Sequence, residues 1–329
     1  MSPRVSVIII TYARPVYVAQ CLDHLARLRT APHEILVVDA SPDDRTRVIV
    51  ERDHPQVRLL RNDLGPGTMP ESRQIGFAAA TGDIVAFIDD DAFVDEAWLD
   101  ELVTPYTDST VHGVGGRAVN GIAGEESEGL GQIGRFLPDG RLTGNFGADP
   151  GRLLDVHHML GANMSFRRSA LAAIGGIRGN YPGTCLCEES DISFRVRAAG
   201  GRLVYQPRAV VRHVAAPYET GGKRFDRRYL YYSRRNHFVL LARNLGWRDP
   251  ALRRFALTTV RSQREYVAEA VRRLRHGVPG SGGLASAKAR ASAPVVLTRA
   301  VAELSGLVAG VPAAAVARRR DRADGVGTP

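Results

Sequence analysis

Four short runs of apolar, largely β-branched residues constrain the first third of this chain more than anything else in it. They are RVSVIII (4–10), EILVVD (34–39), VRLLR (57–61) and DIVAFID (83–89). The first two read as buried strands, and VRLLR and DIVAFID as a third and a fourth strand. The stretches between them read as helices. VYVAQCLDHLARL (16–28) places Val18, Leu22, Leu25 and Leu28 on one side, and SPDD (41–44) is a turn that starts a helix. ESRQIGFAAATG (71–82) is a helix closed by Gly82, and DEAWLDELVTPY (95–106) is another. Strand and helix therefore alternate from residue 4 to 106, which predicts an α/β fold with a mostly parallel central sheet flanked by helices.

Such sheets bind ligands beyond the carboxyl ends of their strands. The first strand ends in Thr11-Tyr12-Ala13-Arg14, the second in Asp39 and the fourth in Asp89-Asp90-Asp91. Three adjacent carboxylates repel one another and are costly to bury. Asp89-x-Asp91 at a strand end is a hard-oxygen site suited to Mg2+ or Mn2+. The plain alternative is a solvated acidic turn ahead of the helix at Asp95.

Beyond residue 110 the rhythm changes. VHGVGGRAV (111–119) reads as a strand, and residues 120–155, rich in glycine and acids, as a mobile loop or small hairpin. HHMLGANMSFRRSALAAIGG (157–176) suggests a strand, a short helix and a glycine stop. EESDISFRVRAAGG (188–201) is a helix: Ile192, Val196 and Ala199 share a face, Asp191 and Arg195 pair at i,i+4, and Gly200 ends it. Glu188, Glu189 and Asp191 complement the positive helix N-terminus, and a carboxylate held there can also serve as a general base. RLVYQP and AVVRHV follow as two short strands, the second ending in His213, a structural histidine or a cation ligand.

Charge divides the chain. Residues 1–222 carry 22 arginines against 28 acids, whereas residues 223–329 carry 22 basic residues against 7 acids. This predicts an acidic catalytic body (1–222, its halves meeting near 119), a basic helical extension (223–276), and a linker (277–289) leading into an amphipathic tail. The tail helix, 293–320, is interrupted by Arg299, Glu303 and Pro312. RRYLYYSRRNHF (227–238) interleaves arginine with aromatics. It suits an anionic membrane surface or a lipid-diphosphate acceptor better than nucleic acid, for which no binding module is present. Cys21, Cys185 and Cys187 exclude a disulfide scaffold, and Cys185-x-Cys187 lacks the second pair a zinc site needs. No uninterrupted apolar run reaches the ~18–20 residues of a membrane span and no leader is visible, so the expected location is cytoplasmic, peripheral on the inner membrane face.

Taken in order, Ile9-Ile10-Thr11-Tyr12-Ala13-Arg14, VVDASPDD, ESRQIGFAAATGDIVAFIDDD, GANMSFRRSALAAIGG, EESDISFRVRAAGGRLVYQP and VVRHV resemble the family 2 glycosyltransferases of the GT-A fold, over roughly residues 4–245. The resemblance implies an inverting glycosyltransferase with a Rossmann-like GT-A domain. It would use a nucleotide-sugar donor, UDP- or dTDP-linked, and a hydroxyl acceptor that is lipid-linked or a soluble small molecule. Thr11, Tyr12, Arg14, Asp39, Arg73 and Asp90 would hold the nucleotide. Asp89, Asp91 and His213 would hold Mn2+ or Mg2+. Gly116, Gly161, Ala162, Asn163 and Met164 would line the sugar and acceptor cleft. The base falls on the second acid of the helix-opening pair, Glu189, where relatives most often have Asp; Glu188 and Asp191 stand beside it as alternatives. A sugar nucleotidyltransferase is the alternative enzyme class, but it would want a glycine-rich phosphate loop where this chain has TYARP.

Overall fold

The computed structural model of the protein describes residues 3–214, 226–276 and 283–325. These fall into two compact units, one of residues 3–137, 142–181 and 188–214, the other of 138–141, 182–187, 226–276 and 283–325. The boundary expected at 222 and the first six residues of the linker expected from 277 lie outside the described residues.

The first unit begins β1 (Val5–Thr11), α1 (Pro15–Leu25), β2 (Glu34–Asp39), α2 (Arg45–Asp53), β3 (Arg58–Arg61), α3 (Met69–Ala79) and β4 (Ile84–Asp89). The four strands are parallel, in the order β3-β2-β1-β4. All seven residues of β1 are buried. Val5, Val7 and Ile9 pack toward Val18, Leu22 and Leu25 of α1, while Ile8 and Ile10 face the opposite core. A strand covered on both faces has no solvent-facing side, which explains why only Ser6 interrupts the apolar run from Val5 to Ile10. Each such Ile or Leu contributes about 1.5–3 kcal/mol through burial.

After β4 the sheet becomes mixed. The elements are β5 (Ala92–Val94), α4 (Trp98–Val103), β6 (Val111–Val119), β7 (Leu154–Asp155), β8 (Asn163–Arg167), α5 (Arg168–Ala173), α6 (Glu188–Ala198) and β9 (Arg202–His213). β8 runs antiparallel between β4 and β6, β9 lies parallel to β6, and β5 and β7 pair antiparallel with β9. The three-residue β5, hidden in the acidic turn, was not foreseen from sequence.

One expectation is corrected here. The two short strands around Pro207 are one strand, β9, with a register shift in its pairing to β6 after Gly116–Gln206. Proline is tolerated where a bulge frees the backbone from the ladder. The segment read as a mobile loop or small hairpin has internal ties. One Glu125 carboxylate oxygen accepts the backbone N–H of Asn120, Gly121 and Ile122 at 2.8, 3.0 and 3.3 Å. Phe136 and Leu142 form an isolated bridge, the small hairpin of the expectation.

The second unit is built from α7 (Arg227–Leu245), α8 (Pro250–His276) and α9 (Gly283–Ala323). The break expected at Pro312 is absent, and residues 283–289 of the expected linker are helical: α9 runs through both Pro294 and Pro312. Proline costs an isolated helix about 3 kcal/mol, so packing must sustain α9. Glycine allows that packing to be close. A Cβ on Gly306 would strike the Tyr231 carbonyl of α7, and one on Gly310 would crowd Phe238. Glu303 of α9 is buried and accepts from Arg234 of α7 at 3.2 Å and from Gln263 and Tyr266 of α8 at 2.9 and 3.2 Å. Asp321 is buried against Arg243 through bonds of 2.9 and 2.5 Å. Residues 291–323 are long and apolar enough to cross a membrane by length and composition alone.

Candidate active site

Strand register assembles the site. Thr11 pairs with Asp39 across β1–β2, and Ile10 pairs with Asp89 across β1–β4. The polar residues that follow each apolar run therefore emerge on one rim. Antiparallel pairing of Ala92 in β5 with His213 in β9 brings the histidine to the same place. Among the described residues, Asp89, Asp91 and His213 form the one group of metal-ligating side chains, each offering a ligand atom within 4.8 Å of the others. Two carboxylates and one imidazole suit Mn2+ or Mg2+, the imidazole favouring Mn2+. Neither Cys185 nor Cys187 joins such a group.

Asp90 is 3% exposed; it accepts from Thr11 Oγ1 at 2.7 Å and from Arg14 at 3.0 Å, and Arg14 also reaches Asp91 at 3.4 Å. Burial pushes Asp90 up to about 7 despite the pull of Arg14, and Asp91 pushes it further the same way. Asp89 is also raised by burial, against Arg73. A divalent cation bound beside these carboxylates would favour their charged forms.

Several residues read from sequence as ligand contacts are also bonded within the protein. Asp90 braces Thr11 and Arg14 from beneath. Asp39 is buried and accepts the Ser41 backbone N–H at 2.9 Å and the Ser41 hydroxyl through one oxygen, while Arg61 lies 3.7 Å from the other. Ser41 also accepts the N–H of Ala13 at 2.8 Å, holding that residue at φ 53° in the turn that presents Tyr12 and Arg14. Arg73 is 1% exposed and is an internal strut: it bonds Asp89 at 2.9 Å and pairs with Glu188 at the start of α6.

Asn163, Met164 and Gly116 do not line a cleft; this corrects the sequence reading. Asn163 and Met164 are fully buried. The Asn163 amide donates to the carbonyls of Arg117 and Ala209 at 3.0 and 2.9 Å and accepts the Trp98 indole N–H at 2.9 Å. It thus stitches the β6–β9 irregularity with both amide N–H groups donated and the oxygen accepting. A Cβ on Gly116 would collide with the Ala209 carbonyl and the Asn163 amide, so that packing requires glycine. Bulges re-aim strands, and beyond this one β9 pairs with β5 and ends at His213. Gly161 and Ala162 precede β8; the Gly161 carbonyl lies 3.3 Å from Arg73 and Ala162 is buried.

Three carboxylates open α6, and their surroundings separate them. Glu188 is 2% exposed and paired with Arg73. Asp191 is 1% exposed and accepts from Arg178 at 3.0 and 2.5 Å and from the Tyr181 hydroxyl at 2.8 Å, with Arg195 at 3.7 Å. Glu189 is half-buried at the helix edge. Sequence reasoning missed Arg178, Tyr181, Trp98 and Asn120; their partners Asp191, Asn163 and His213 lie 10 to 93 positions away, beyond any local pattern.

Comparison with known proteins agrees with this architecture. Residues 6–175 match the family Glycosyl transferase family 2. Over 233 residues the chain is 28% identical to the glucosyl-dolichyl phosphate glucuronosyltransferase of Haloferax volcanii, covering 66% of this chain and 71% of that one. It is 30% identical over 196 residues to the pre-mycofactocin glycosyltransferase of Mycobacterium tuberculosis, covering 57% of this chain and 39% of that longer protein. Among solved structures, the mannosyltransferase PcManGT from Pyrobaculum calidifontis, in complex with GDP-Man and Mn2+, shares the fold with a TM-score of 0.57 at 19% identity, over 98% of this chain and 88% of that one. S. aureus TarS 1–349 does so with a TM-score of 0.53 at 14% identity, over 98% and 92%. A family match across more than half of the chain, on the strands whose ends carry the acidic rim, establishes that this protein is a glycosyltransferase belonging to glycosyl transferase family 2.

Proposed function

We propose that the chain moves a sugar from a nucleoside-diphosphate sugar, UDP- or dTDP-linked, to a hydroxyl acceptor with inversion at the anomeric carbon. The observation that carries this reading is the grouping of Asp89, Asp91 and His213 on the rim where Thr11, Arg14 and Asp39 also emerge. A Mn2+ or Mg2+ ion held by those three residues would supply positive charge against the departing diphosphate. Tyr12 and Arg14 flank the nucleotide, and Asp39 receives its base. Glu189 takes the proton from the acceptor hydroxyl as that oxygen attacks the face opposite the leaving group. The environments of its two neighbours support this assignment, since Glu188 and Asp191 are each committed to a buried arginine.

The acceptor is proposed to be lipid-linked, with the protein resting on an anionic membrane surface. Exposed Leu257, Val260, Val267, Val271 and Leu274 recur at helical spacing along α8. Exposed Arg253 and Arg264 lie on the same face, between those apolar residues, and Arg275 lies at its edge. A helix face that mixes apolar side chains with arginine suits an anionic lipid interface. A soluble acceptor is the second reading.

Incubation with a panel of nucleotide sugars and Mn2+, followed by mass spectrometry, tests the central proposal. Release of a nucleoside diphosphate with transfer or hydrolysis of one sugar is expected. Release of pyrophosphate would identify a nucleotidyltransferase instead.

A further inference from the structure

We propose that Asn120 is a positioning residue: its amide oxygen holds the Nδ1 proton of His213 and so turns the Nε2 lone pair toward Asp89 and Asp91. This rests on the metal reading above.

The hydrogen bonds determine which way round the Asn120 amide sits. Its nitrogen donates to the Ala118 carbonyl at 3.1 Å and to Glu125 Oε2 at 3.1 Å. Both partners are pure acceptors, because the other Glu125 oxygen is occupied by three backbone N–H groups. A flipped amide would set an oxygen against two oxygens, so the observed orientation is enforced chemically. Asn120 Oδ1 therefore faces His213, 3.3 Å from Nδ1. An amide oxygen only accepts, so Nδ1 carries the proton and a neutral ring leaves Nε2 as the ligating atom. Nε2 lies 3.3 Å from Asp91 Oδ1, inside the ligand group.

The backbone supports the same arrangement. Val119 pairs with Arg212 across β6–β9, so Asn120 and His213 are the next residues on those two strands. On its other side His213 pairs with Ala92, next to Asp91. The histidine is thus held between a loop organised by Glu125 and the acidic turn itself. Outer partners of metal-binding histidines typically change metal affinity 10- to 100-fold when removed.

The test is Mn2+ titration of the full chain by electron paramagnetic resonance, with ring 15N spectra of His213 in the Mg2+-loaded protein, its signals assigned by loss in His213→Gln. The unaltered protein should show a protonated Nδ1, and Asn120→Ala should bind Mn2+ 10- to 100-fold more weakly. A His213 ring protonated on Nε2 alone, or equal Mn2+ affinity in Asn120→Ala beside a binding wild type, would overturn the role of Asn120. Failure of the wild type itself to bind Mn2+ overturns the metal reading, and this role with it. Should Asn120→Ala melt early in EDTA, the ring spectrum of the unaltered chain decides.

Discussion

Arg178 holds Asp191 through two hydrogen bonds of 3.0 and 2.5 Å, with both side chains buried. This ties Asp191 to the segment leading into α6. Removing one partner of a buried ion pair strands the other charge. Asp191→Ala should therefore lower unfolding free energy by about 3–5 kcal/mol, read from urea unfolding. A loss below ~1 kcal/mol would mean that the pair contributes little.

Glu189→Gln should behave oppositely. The residue is half-buried at the helix edge, and the amide keeps its shape. Stability and donor affinity should hold, while the transfer rate falls about 10²–10⁴-fold, the usual worth of a general base. Single-turnover kinetics with saturating donor measure this. Retained turnover would place the base on another residue.

Asp91→Ala should abolish metal-dependent nucleotide binding, since Asp91 both belongs to the ligand group and lies 3.3 Å from His213. Calorimetry with nucleoside diphosphate and Mn2+ checks it. Unchanged affinity would refute the metal assignment.

His158 gives the protein an acid-sensitive element away from the acidic rim. Its ring donates from Nε2 to the Thr143 carbonyl at 2.8 Å and accepts from Ser190 Oγ at 3.3 Å, with its edge toward Phe146. Burial pushes its pKa down to about 4 from 6.5, despite backbone hydrogen bonds that act the other way. Below pH 6.5 the unfolded chain takes up a proton that the folded one refuses. Its contribution is complete above pH 6.5, shrinks as pH falls, and levels off near 4, a span of about 3 kcal/mol. The unfolding free energy of His158→Gln should depend less on pH between 4 and 6.5 than that of the wild type. Parallel pH curves for the two proteins would contradict this.

The stripe on α8 offers a membrane test that spares the helical core. Truncating α9 would also strip away Glu303 and Asp321, which are buried against α7 and α8 partners, and would confound the result. Reversing Arg264 and Arg275 to Glu alters exposed charge alone. At ~1 kcal/mol for each basic residue near anionic lipid, partitioning onto phosphatidylglycerol vesicles should weaken at least about tenfold. Weak binding to phosphatidylcholine should change little. Equal sedimentation with phosphatidylglycerol for both proteins would remove the membrane surface from the proposal.

What was readable in the amino-acid order is local. β-Branched runs such as 4–10 report strands because a doubly covered strand is apolar along most of its length. Asp89 and Asp91 could be placed on a rim because carboxylates at the end of such a run have nowhere else to go. The helix at 188–198 was likewise evident from its spacing and its glycine stop. Tertiary structure alone decided which polar residues work on ligands and which on the fold. Asn163 and Gly116 form the β6–β9 irregularity, Arg73 ties Asp89 to Glu188, and α9 passes straight through Pro312. Each of these depends on partners tens of positions away, and periodicity carries no information about them: the hydrogen-bond and ion-pair requirements of a buried group are met by whatever the folded chain brings alongside it.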